Sequence, residues 1–120
     1  MTLQECYAAM GGDYEGVMGR LRSERMVQKF VLKFLADGSY GLLLSSVEAE
    51  DWLEAFRASH TIKGVCQNLG FTRLYESSSA LSEAMRDGKP LGDPALLERV
   101  KADYQTTAGA IRALRETLGE

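Results

Sequence analysis

From Leu97 to Leu118 an apolar or small residue returns every three or four positions: Leu97, Val100, Tyr104, Ala108, Ile111, Leu114 and Leu118. Side chains repeat on one face of an α-helix at that interval, so the run predicts a long amphipathic helix. The spacing recurs upstream in Met26, Val27, Phe30, Val31, Phe34 and Leu35, and again in Leu74, Ser78, Leu81 and Met85. No segment alternates with period two over a useful length, so strands are not expected. The only prolines are Pro90 and Pro94, which leaves everything before them free for helix.

Local punctuation divides the pattern. Thr2 with Glu5, and Asp51 with Glu54, have the spacing of capping boxes. Asp13 and Ser23 are placed to cap further helices, and Thr72 is expected to cap the one after Gly70. Gly11-Gly12, Gly70 and Gly88 are expected stops. Asp93-Pro94 is an N-cap followed by proline at the first helical position. Around Asp37-Gly38-Ser39 and Gly41 the helix weakens, but Leu42, Leu43, Leu44 and Val47 resume the apolar pattern, so a kink or brief break is expected there. Short helices over 3–10 and to about residue 21 precede four substantial ones. The expected fold is all-α, an antiparallel up-down four-helix bundle with a short additional N-terminal helix as a lid.

A chain of 120 residues suits one domain with one core, taken as residues 1–120. Its 45% apolar and 26% charged residues argue against disorder. A net charge of −3 gives no basic stripe for nucleic acid. The first residues are neither basic nor apolar enough for a signal peptide, and no apolar run is expected to approach bilayer-spanning length. One histidine and two separated cysteines, Cys6 and Cys66, supply no closed metal-ligand set and no CxxC pair. No GxxxxGK loop or kinase segment is present. These features predict a soluble, cytoplasmic, monomeric protein without metal or cofactor of its own.

The histidine, His60, lies inside the helix expected over about residues 51–69. At about 100° per residue, Ala55, Ala58, Ser59, Ile62, Val65, Cys66 and Leu69 gather on one small, apolar face, the face to bury. His60, Lys63, Gly64 and Gln67 fall opposite, with Leu53 and Phe56 beside them. A solvated helix face ordinarily carries Glu, Lys and Gln, so large apolar residues around a polar centre suggest a docking surface. Glycine inside a helix costs roughly 1 kcal/mol relative to alanine. Close approach of a partner to the backbone is one reason to keep it.

The run His60-Thr61-Ile62-Lys63-Gly64-Val65-Cys66-Gln67-Asn68-Leu69-Gly70-Phe71 resembles the signature of histidine-containing phosphotransfer (HPt) domains, with His-x-x-Lys-Gly in mid-helix. The expected helix order fits that family over almost the whole chain. The resemblance implies that His60 accepts a phosphoryl group from a receiver-domain aspartate, or a hybrid kinase, and passes it to another receiver. It implies that Lys63 offsets phosphoryl charge and that Gly64 leaves room for the receiver, with Gln67, Phe56 and Leu53 around the docking surface. A divalent metal ion would come from the receiver. Where the family often places Gln or Glu against the imidazole, this chain has Ser82, a shorter candidate for orienting the ring. That departure weighs against a competing reading, the phosphoacceptor domain of a chemotaxis-type histidine kinase. A second competitor is a helical adaptor that binds without phosphotransfer. The resemblance implies a carrier rather than an enzyme, with receiver domains or a hybrid kinase as partners and neither nucleic acid nor membrane.

Overall fold

Side chains of Thr2, Asp13, Ser23, Asp51 and Asp93 each accept a backbone N–H in the first turn of a helix. Each satisfies one of the donors that a helix N-terminus leaves without partners. In the computed structural model, which describes residues 1–119, seven α-helices follow in order. They are α1 (Leu3–Met10), α2 (Tyr14–Leu21), α3 (Glu24–Lys33), α4 (Ser39–Glu48), α5 (Trp52–Leu69), α6 (Thr72–Ala84) and α7 (Pro94–Thr117), with 3₁₀ turns at Phe34–Ala36 and Arg86–Gly88. No strand occurs among the described residues.

The all-α expectation holds. The α3–α4 unit is one helix broken at Asp37-Gly38, and with α5, α6 and α7 it forms the bundle. Short connections set α4 against α5, α5 against α6 and α6 against α7. The N-terminal addition is a pair of short helices, of which α1 packs on α7.

Four local expectations need correction. Thr72 is the first helical residue of α6, and Phe71 takes the N-cap position with no side-chain bond. At α5 only half of the capping box forms, because the Glu54 carboxylate turns to Arg57 at 3.4 Å. Leu118 lies beyond the end of α7 and is 39% exposed, outside the buried stripe. The stretch Glu24–Glu48 is, by length and composition, long and apolar enough to cross a membrane, with a mean hydropathy of 1.3 in its 18-residue window. Inspection of contiguous apolar runs misses it because Lys33 and Asp37 interrupt the run. In the fold it is a broken helix with Val27, Val31, Phe34 and Leu43 turned into the core.

The core is aromatic at one end. Phe71 packs on Phe34 and Tyr7 with ring centroids 5.2 and 5.8 Å away, and Tyr40 stacks on Tyr104 at 3.7 Å. Between α5 and α6 it is made of small residues. Ala55, Ala58 and Ser59 are buried on α5, and Ser77, Ser78 and Ser82 on α6. Their hydroxyls need not break the packing: Ser59 donates to the Phe56 carbonyl at 2.9 Å, and Ser77 and Ser78 donate to that of Leu74 at 3.3 and 2.7 Å.

Backbones meet where α5 ends. Gly70 adopts φ 74°, and its carbonyl accepts from the Asp13 N–H at 2.7 Å. A Cβ at Gly70 would lie 2.9 Å from the Asp13 carbonyl oxygen, and one at Gly12 would lie 2.9 Å from that of Gly70. Close approach therefore requires both glycines, and the left-handed turn requires the one at position 70 as well. The buried Tyr7 hydroxyl donates to the Leu69 carbonyl at 2.7 Å, and burial raises that phenol's pKa well above its ordinary value. Tyr7→Phe keeps the ring but strands this carbonyl. It should lower the unfolding free energy by about 1–3 kcal/mol in urea denaturation, with helical circular dichroism unchanged.

Candidate functional site

The buried face of α5 is the one expected from its sequence. Ala55, Ala58, Ser59, Ile62, Cys66 and Leu69 are buried, and Val65 is half-buried at the margin. Burial raises the Cys66 thiol's pKa strongly, so it stays protonated within the core. That burial fixes the helix's rotation and turns His60, Gly64 and Gln67 to solvent midway along the bundle.

Phe56 lies one turn before His60, half-buried against the core, and its ring stacks on the imidazole with centroids 5.8 Å apart and planes 30° from parallel. Lys63 is half-buried one turn after the histidine, and Leu53 is 45% exposed further upstream. Apart from its own stretch of helix, no atom lies within 4 Å of the position a Gly64 Cβ would occupy. Bare helix backbone therefore faces solvent next to the imidazole.

Among the described residues no hydrogen bond reaches the His60 ring, from Ser82 or elsewhere. Ser82 is 4% exposed on α6. Phe56 stacks on the ring, where sequence spacing placed it beside His60 without indicating a stack. No three of His, Cys, Asp or Glu are grouped to hold a metal ion among the described residues.

Two depressions flank the backbone at Gly64. One, of about 350 Å³, runs between α3 and α5, lined by Phe30, Phe34, Val65 and Leu69, with Lys33 and Asp37 also in its wall. The other, of about 310 Å³, is bounded by Gly64, Gln67, Asn68 and Arg20 of α2. Sequence reading missed the contributions of Phe30, Lys33 and Arg20. They come from other helices, and no local spacing signals the contact.

A lone exposed imidazole on a rigid helix, with a cation and open backbone within one turn, suits transfer of a small anionic group between docked partners. The family model described as the Hpt domain matches residues 24–116, and the chain belongs to that family. Hpt domains carry phosphoryl groups in His–Asp phosphorelays, working with receiver domains and histidine kinases. No curated protein and no solved structure gives a significant match.

With no atom close to its Cβ position, Gly64→Ala should stabilise the folded chain by up to roughly 1 kcal/mol through helix propensity. The check is a higher urea midpoint with an unchanged slope.

Proposed function

We propose that this protein is a carrier in a multistep phosphorelay, with His60 as its phosphoacceptor. A ring nitrogen of His60 attacks the phosphorus of an aspartyl phosphate on a receiver domain. The N–P bond forms as the acyl phosphate P–O bond breaks, and the receiver's carboxylate leaves. A second receiver's aspartate takes the group in the reverse sense. The observation that carries this reading is the exposed imidazole beside open backbone at Gly64, in a chain of the Hpt family.

Each neighbour has a task in that reaction. Phosphoryl transfer depends chiefly on positioning and on offsetting charge. The stack with Phe56 restricts the ring, and Lys63, one turn on, offsets the charge of the phosphoryl oxygens. Gly64 lets the receiver approach in line, while Gln67, Phe56 and Leu53 border its seat. The divalent ion belongs to the receiver, and no cofactor of this chain enters the step. Packing of α1 on α7 supports treating residues 1–120 as one functional unit. We place it in the cytoplasm, a reading supported by two buried, unpaired thiols, and take it to act as a monomer.

Incubation with receiver domains phosphorylated by acetyl phosphate tests the reading. The protein should acquire acid-labile, alkali-stable label, and His60→Ala should abolish it with helicity unchanged. Undiminished label on that variant would sink the relay and leave a helical adaptor as the better account. Gly64→Gln should transfer at least about tenfold more slowly, through obstruction of docking, while melting no lower than the native chain. Normal transfer by that variant would mean that no partner packs over position 64.

A further inference from the structure

The helices α1 and α2 lie outside the residues that match the family, yet α2 delivers Arg20 to the site face one turn beyond Gly64. The Arg20 Nη2 donates to the Asn68 carbonyl at 3.0 Å and to that of Gln67 at 3.3 Å. These carbonyls belong to the last turn of α5, where the helix leaves acceptors without intrahelical partners and carries the negative end of its dipole. A cation is held there by geometry and by charge.

Anchoring does not exhaust the side chain. A guanidinium has five N–H donors in a planar fork, and both bonds to α5 use a single nitrogen. Arg20 is exposed, and among the described residues no carboxylate stands within ion-pair distance of it. Its head walls the 310 Å³ depression whose other side is Gly64. Lys63 immediately precedes Gly64 on α5, and Lys33 lines the neighbouring groove, which also touches Gly64. Three helices thus bring three cations, offset in part by Asp37 of the neighbouring groove, around one patch of bare backbone on a chain whose net charge is −3.

We propose that Arg20 is a specificity-determining docking residue, its anchored guanidinium meeting a carboxylate on the receiver domain seated over Gly64. The inference rests on the relay reading. It adds a contact supplied by a helix that the family match does not include. Holding the head against the end of α5 lowers the entropy lost on forming a two-pronged bond to a carboxylate. A lysine can cap the same carbonyls but has no such fork.

The test measures transfer from acetyl-phosphate-loaded receiver domains as a function of receiver concentration, alongside melting temperature, for the native chain and for Arg20→Ala, Arg20→Lys and Arg20→Glu. Arg20→Ala should raise the half-saturating receiver concentration about tenfold with the saturating rate unchanged, and Arg20→Glu should raise it further. Both effects should shrink as salt is added. Arg20→Lys should recover the melting temperature but not the half-saturation. Native half-saturation in Arg20→Lys, or in a folded Arg20→Ala, would reduce Arg20 to a helix cap and overturn the proposal, leaving the relay intact as long as His60 is labelled. If the alanine variant does not fold, the lysine variant alone decides. Absence of label on the native chain from every receiver would overturn the relay reading itself, and this inference with it.

Discussion

The end of α5 is where the molecule is held together, because five successive carbonyls there must find partners. Cys66 accepts from the N–H groups of Gly70 and Phe71, Gln67 and Asn68 from Arg20, Leu69 from Tyr7, and Gly70 from Asp13. For the buried Leu69 and Gly70 an unpaired carbonyl would cost about 1–3 kcal/mol, a large fraction of a small domain's net stability, whereas Gln67 and Asn68 are exposed. Three of these four donor groups outside α5 and its cap come from residues 7–20, which lie outside the family match. The N-terminal pair is therefore more than a lid over apolar surface. It completes the hydrogen bonding of the helix that carries His60, and it does so at the end nearer Gly64.

With its C-terminus fixed and its small face buried against α4 and α6, α5 has little freedom to rotate. Small residues at that contact let the helices approach closely, and Ser59, Ser77 and Ser78 satisfy their hydroxyls within their own helices. Rotation of about 100° per residue then decides what faces outward. A helix so constrained can carry a glycine in its middle. The roughly 1 kcal/mol that Gly64 costs in propensity is offset by burial on the opposite face.

What could be read from the sequence follows from how local each determinant is. Thr2, Asp13, Ser23, Asp51 and Asp93 each bond a backbone N–H two or three residues away, so their spacing alone identifies them. The Asp37-Gly38 break and the outward turn of His60, Gly64 and Gln67 were legible for the same reason. Thr72 failed as a cap because the Gly70 turn already starts α6 at that residue. Arg20 and Tyr7 stayed invisible because their partners are 47 to 62 positions away. The need for glycine at position 12 was hidden likewise, since the backbone it must clear is that of Gly70.

The His60 surroundings are sparse, and the sparseness has a physical sense in the proposed relay. A carrier must release what it accepts, so a pocket that bound the phosphoryl group tightly from several sides would deepen the intermediate and slow the second transfer. Here one aromatic stack restrains the ring, a half-buried lysine follows one turn on, and no hydrogen bond to the ring occurs among the described residues. Beyond the charge that Lys63 offsets, stabilisation of the transition state is left to the receiver, which is present only during transfer. What this chain contributes is an imidazole on a fixed helix face, open backbone and a charged border. Binding energy spent on that border lowers the cost of bringing the partners together without stabilising the phosphorylated histidine between encounters. The distance of Arg20 along α5, beyond Gly64 rather than beside His60, fits that division: it can hold a receiver without holding the phosphoryl group.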